Sequence, residues 1–194
     1  ASKLFHECFC NWLLLLSIGC PSSILLSMTS KTIAQIRNEA AASLSPERQQ
    51  QWEQFLTPAP VAEQAASLFT PTCNPVRILD LGSGSGILSA VTAKRSSHGS
   101  SVVAIEQDPA LAADSEASLR QVCDDVEVIN KSIFDVLLES SFDRVILNPP
   151  YKKISPTVIV TSGGGVKVTN LYAAFLVTAI QALASGGECV AIIP

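Results

Sequence analysis

The chain has 194 residues, 47% of them hydrophobic and 15% charged, which suits one globular domain with a core and excludes a disordered or fibrous protein. Its formal net charge of −4 excludes a strongly basic surface overall, so any contact with nucleic acid has to come from a local patch or a further segment. Six cysteines without a paired C-x-x-C spacing, and only His6 and His98 beside them, give no metal site and point to a reducing, cytoplasmic compartment.

Residues 1–27 read differently from the rest. They hold three of the six cysteines and the apolar run WLLLLSIGC, which is too short to span a bilayer. Gly19-Cys20 is similar to a lipoprotein cleavage site, but the segment before it carries one Lys against one Glu, a poor leader. The first Met is Met28; translation is expected to begin there, with 1–27 as upstream sequence and no membrane segment.

From Met28 onward the text reads as helices and then as alternating strands and helices. SKTIAQIRNEAAASL predicts a helix over 30–44. Ser45-Pro46-Glu47 supplies an N-cap, a proline at the first helical position and an acid in the first turn of a second helix, which carries Trp52 and Phe55 and stops before Pro58. A third helix follows over 59–69. The period then changes: VRILDLG (76–82) is a short, nearly continuous apolar run of the kind buried on both faces of a parallel sheet. Helices over 86–95, 109–122 and 169–184 then alternate with strands over 101–106, 126–130, 144–148 and 188–193, and SGGG at 162–165 reads as a flexible loop. The prediction is a doubly wound, mostly parallel α/β domain over 71–194, preceded by N-terminal helices over 28–70.

Ligands of open α/β sheets bind outside the carboxyl ends of the strands, and several of those ends carry chemistry. After the first strand, DLGSGSG (80–86) puts Gly82 and Gly84 where backbone can approach a ligand, and Gly86 where a helix opens in close packing. The second strand ends in Glu106, 20 residues past Gly86, the place for a carboxylate that accepts from both hydroxyls of a ribose. Together they indicate an adenosine-bearing cofactor. A tight βα turn and a solvated helix-capping acid are the plainer alternatives.

The strand over 144–148 ends in NPPY (148–151), an amide and two prolines that cannot continue a ladder, followed by an aromatic ring. An exocyclic amine on a nucleobase is a poor nucleophile, because its lone pair is delocalised into the ring. The side-chain oxygen of Asn148 and the backbone carbonyl of Pro149 can both accept from such an NH2 and stabilise the positive charge that develops as it attacks a methyl group. Pro149 and Pro150 stiffen the segment, and Tyr151 offers a ring face on which an extruded base can stack. A base reaching such a pocket has to leave its duplex first.

The set QFLTPAPVAEQAASLF (54–69), ILDLGSGSG (78–86), VILNPPYKKI (145–154), NLYAAF and GGECVAIIP (170–194) resembles the N6-adenine DNA methyltransferases, most closely the BsuBI/PstI-like modification enzymes. The resemblance implies a Rossmann-like class I methyltransferase sheet with five of its seven strands present. It implies S-adenosyl-L-methionine as cofactor, double-stranded DNA with a flipped adenine as substrate, and a cognate restriction endonuclease as the partner of the system. In that family an aromatic-x-Thr-Pro segment lies over the methionine part of the cofactor, which carries onto Phe55, Thr57 and Pro58. The cofactor acid and glycines carry onto Asp80, Gly82, Gly84 and Glu106, and the catalytic motif onto Asn148, Pro149, Pro150 and Tyr151. NPPY also occurs in glutamine methyltransferases acting on release factors and in some RNA methyltransferases, which stand as alternatives beside an inactive cofactor-binding remnant.

Three features depart from the family. The Asp that holds the cofactor's adenine amino group has no counterpart, leaving Ser132 or Asp135. SPTVIVTSGGG (155–165) stands where relatives carry a His/Arg-rich stretch, as a compensated frameshift would produce. The chain ends at Pro194, after five strands, and is expected to be a fragment that stops short of the target-recognition region.

Overall fold

The computed structural model describes residues 31–44 and 56–193, which belong to one compact unit. The predicted second helix, with Trp52 and Phe55, lies outside the described residues, as does 1–30. Helix α1 runs over Ile33–Ser43 and is started by a capping box. In that box the Thr32 hydroxyl accepts from the Gln35 N–H, and the Gln35 side chain accepts from the Thr32 N–H. Helix α2, Ala59–Ala66, begins directly after Pro58, whose fixed φ suits a helix entry and which has no N–H to leave unsatisfied.

Five strands form the main sheet: β1 (Arg77–Leu81), β2 (Ser101–Ile105), β3 (Asp125–Ile129), β4 (Phe142–Leu147) and β7 (Leu183–Ala191). Their order is β3-β2-β1-β4-β7 and every pairing is parallel, as predicted. The connections are helices α3 (Ile87–Lys94), α4 (Pro109–Leu119) and α5 (Leu171–Ala182). Between β3 and β4 the chain makes a single 3-10 turn over Ile133–Asp135.

The apolar runs are continuous because both faces of the sheet are covered. Alternation along β1 sends Ile78 into one core, with Ala62 and Phe69 beside α2 and Leu88 and Val91 of α3. Leu79 and Leu81 go into the other, with Ile133, Phe175 and Ala179. Arg144, 4% exposed on β4, is the one basic residue buried in the sheet. It donates to Ser96 Oγ at 2.9 Å and to the Thr70 carbonyl, and its guanidinium stacks over Phe69 at 5.1 Å.

Two expectations need correction. The predicted loop around 162–165 is the turn of an antiparallel hairpin, β5 (Lys153–Thr161) and β6 (Gly164–Asn170), which forms a separate two-stranded sheet. Thr161 pairs with Gly164 across a two-residue turn; the flanking TVIVT and GVKVT are rich in β-branched residues, which favour strands, and GVKVT also alternates with a period of two. Val168 is buried, 4% exposed, and anchors the hairpin. The last strand begins at Leu183 rather than 188, because the chain passes from α5 into pairing with Phe142 before a register shift and Gly186, at φ +81°, bring Glu188 opposite Arg144. Among the described residues no helix is long and apolar enough to cross a membrane, and no cluster of metal-ligating side chains occurs.

Candidate active site

The strand order reverses direction at β1: the chain winds out to β2 and β3 on one side and to β4 and β7 on the other. Such a crevice outside the strand ends is where an open α/β sheet binds ligands. A cleft opens there, and six of the predicted residues line it: Gly82, Gly84, Glu106, Ser132, Asn148 and Pro150.

The glycine loop is held by backbone bonds to the neighbouring strand, with the Gly82 and Ser83 N–H groups donating to the Ile105 carbonyl at 2.8 and 3.1 Å. Gly84 sits at φ +55°, and a Cβ there would stand 2.9 Å from Leu56 Cδ2. Gly86, at φ +77°, caps α3, and a Cβ on it would meet the backbone of Ser115 on α4 at 2.9 Å. The first two glycines therefore keep a ligand cradle open, while Gly86 lets two helices touch.

Glu106 is 6% exposed, and burial raises its carboxyl above the ordinary value, opposed by backbone donors. Oε2 accepts from Gly84 N–H and Oε1 from Asp108 N–H, both at 2.9 Å. The acid thus ties the end of β2 to the glycine loop. Asp108 caps α4, accepting from Ala110 N–H at 2.9 Å.

Asp80 does not line the cleft. It shares the face of β1 that carries Ile78, is fully buried, and accepts through Oδ2 from Ser89 Oγ at 2.6 Å and Ser89 N–H at 3.3 Å. Oδ1 has no hydrogen-bond partner, and burial pushes the carboxyl up to about 7 against the pull of the Ser89 donors. Of the two alternatives at the end of β3, Ser132 lines the cleft and starts the 3-10 turn, its hydroxyl accepting from Phe134 N–H at 3.4 Å. Asp135 is exposed and outside it, because the turn directs it to solvent.

Asn148 follows β4 directly. Its Nδ2 donates to Thr57 Oγ1 at 3.1 Å, and its Oδ1 accepts from the Tyr151 hydroxyl at 3.2 Å. That hydroxyl is also 3.2 Å from the Ile192 carbonyl, and the Tyr151 ring meets Tyr172 edge-on at 6.4 Å. Burial raises the Tyr151 phenol above its usual value. Pro149 is buried beside Asn148, and Pro150 turns to the cleft. Thr57 is 5% exposed, and its neighbour Leu56, rather than Thr57 or Pro58, lines the cleft. Phe55 lies outside the described residues.

Sequence reasoning missed the apolar walls, Leu56, Leu111, Phe134 and Phe175. Phe134 stands 56% exposed on the cleft wall, edge-on to Phe175 at 6.5 Å. Its signal was faint: an aromatic two residues after Ser132, itself two past a predicted strand.

An apolar wall, a glycine cradle that side chains would fill and a strand-end carboxylate that can accept from hydroxyls suit a nucleoside. The family model described as the methyltransferase small domain matches residues 64–193. The type II methyltransferase M.PstI of Providencia stuartii is 28% identical over 186 residues, covering 84% of this chain and 37% of its own length. The tRNA1(Val) (adenine(37)-N6)-methyltransferase of Shewanella frigidimarina is 38% identical over 82 residues, covering 38% of this chain and 33% of that protein. In fold, the type I restriction-modification methyltransferase subunit of Streptococcus thermophilus superposes with a TM-score of 0.57 at 23% identity, over 72% of this chain and 34% of that one. The chain spans about a third of the length of these curated relatives. With two thirds of its residues inside that family model, the chain belongs to the methyltransferase small domain family of class I methyltransferases, and its cofactor is S-adenosyl-L-methionine.

Proposed function

We propose that this chain transfers the methyl group of S-adenosylmethionine to the N6 amine of an adenine flipped out of duplex DNA, as the modification enzyme of a restriction-modification system. The bound cofactor supplies an electrophilic methyl carbon on a sulfonium. The chain's residues do the rest: the Gly82–Gly84 cradle and Glu106 hold the nucleoside, with Ser132 and Phe134 beside its base, and Asn148 receives the amine.

The observation that carries the reading is the Asn148–Tyr151 pair. Asn148 Oδ1 already accepts a hydrogen bond, from the Tyr151 hydroxyl, at the mouth of the cofactor cleft. An incoming adenine amine takes that hydroxyl's place, and acceptance of its N–H localises the lone pair and stabilises the charge growing on nitrogen. The proton lost after transfer leaves to water, so no general base of unusual pKa is needed. Tyr151, released from Asn148, supplies the ring on which the base stacks. The similarity to M.PstI over most of this chain favours DNA as the polymer. The charge pattern is compatible with a polyanion: between Arg144 and Glu188 the chain has Lys152, Lys153 and Lys167 and no acid, although the whole chain is negative.

The test incubates the protein with labelled S-adenosylmethionine and, separately, duplex DNA of mixed sequence, tRNA and a release-factor peptide, with products digested for mass spectrometry. N6-methyladenine in DNA is expected. Asn148→Ala should lower its formation about a hundredfold to a thousandfold, roughly 3 to 4 kcal/mol, with cofactor binding nearly intact. Methylglutamine in the peptide, or methyladenine in tRNA alone, replaces the DNA reading.

A further inference from the structure

A side-chain amide presents either an acceptor or a donor to its substrate, depending on which way round it sits. For Asn148 the choice decides everything: Oδ1 toward an amine attracts it, Nδ2 repels it. Something in the fold has to set that orientation before the substrate arrives. The Thr57 hydroxyl accepts from Nδ2 at 3.1 Å, across 91 residues of sequence, which turns Oδ1 toward Tyr151 and the cleft.

Thr57 is itself held. Arg37 of α1 reaches its backbone with two bonds, Nη2 to the Leu56 carbonyl at 2.9 Å and Nε to the Thr57 carbonyl at 3.3 Å. Such a planar fork fixes both the position and the tilt of the segment it grips. Immediately after it, Pro58 starts α2, and the Val61 and Ala62 N–H groups donate to the Pro58 carbonyl at 3.0 Å. The Thr57 hydroxyl is therefore a fixed acceptor, seated in buried surroundings.

We infer that Thr57 is a positioning residue for Asn148, set in place by Arg37. The inference rests on the proposed role of Asn148 as the amine acceptor. It gives Thr57, 5% exposed and outside the cleft lining, a part in the reaction through Asn148.

The experiment compares Thr57→Val, which keeps shape and loses the hydroxyl, with Thr57→Ser, which keeps the hydroxyl, on the 194-residue chain. Turnover of methyl transfer to DNA, S-adenosylmethionine affinity by calorimetry, and the Asn148 side-chain NH2 resonances, assigned by their loss in Asn148→Ala, are all recorded. Thr57→Val should lower turnover roughly three- to tenfold, the worth of one net hydrogen bond, with cofactor affinity unchanged. Its Asn148 amide protons should lose protection from exchange, and Thr57→Ser should restore both readouts. Arg37→Lys, which keeps the charge and loses the fork, should weaken the same two. The inference is overturned if Thr57→Val leaves the Asn148 resonances unmoved, or if it weakens cofactor binding at unchanged turnover. Should the unmodified chain methylate no DNA, the substrate reading fails on its own account, and the amide resonances still decide this one.

Discussion

Asp80 makes a sharp prediction about pH. The carboxyl is fully buried, Oδ1 has no partner, and its pKa is pushed from 3.8 to about 7. Desolvation is the main cause, and the nearby Glu106 carboxylate adds to it, while the two Ser89 donors oppose it. A group whose folded pKa lies above its unfolded value contributes stability that is complete below the unfolded value and is lost as pH rises through the folded one. Between pH 4 and pH 7 the unfolded chain has released this proton and the folded chain keeps it, so stability falls by about 1.4 kcal/mol per pH unit, or roughly 4 kcal/mol in all, and is flat above pH 7. Asp80→Asn removes that slope. Its amide oxygen can take the Ser89 donors, and its NH2, placed where Oδ1 has no partner, adds a cost that does not vary with pH. Urea unfolding of both proteins from pH 4 to pH 8 gives the comparison, in which other titrating groups largely cancel. The stability difference should shift toward the variant by roughly 4 kcal/mol by pH 7. A difference that stays constant across the range would refute the reasoning and mean that Asp80 ionises as an ordinary carboxylate.

Three further outcomes are expected. Glu106→Ala removes the acceptor of the Gly84 and Asp108 N–H groups, and Gly84→Val puts a branched side chain at φ +55° into Leu56; each should weaken S-adenosylmethionine binding about tenfold to a hundredfold, measured by calorimetry. Gly86→Ala forces an L-residue to φ +77° against the Ser115 backbone and should cost roughly 2 to 4 kcal/mol in urea unfolding; an unchanged midpoint would mean α3 and α4 can part freely. If Lys152, Lys153 and Lys167 meet phosphates, replacing all three with Gln should flatten the salt dependence of DNA binding, lowering the logarithmic slope by about 2 to 3; an unchanged slope locates the contact elsewhere.

The parallel sheet and its crevice were legible in the sequence, as were six of the residues that line the cleft, because each rests on a local signal. Short, nearly continuous apolar runs such as RILDL, bounded by turn residues, read as strands buried on both faces, and glycines, an acid and NPPY each sit where such a run stops. The hairpin over 153–170 was legible too, in the β-branched residues of TVIVT and GVKVT, although the glycine cluster between them reads as a loop. Phe134 and Phe175 were not legible as one wall, since nothing local brings a residue after β3 against the middle of α5.

What the sequence by itself determined was which residues could carry the chemistry: strand periodicity and turn composition set them at the carboxyl ends of strands, whatever the rest of the chain does. What only the tertiary structure decided was how each is used. Side chains alternate along β1, so Asp80 turns to α3 and is buried with Ser89, while the loop after Leu81 opens to the cleft. Asn148 is paired with a threonine 91 residues away that an arginine of α1 holds in place. Hydrogen bonds between distant segments depend on where packing brings their backbones, and no local period in the sequence encodes that.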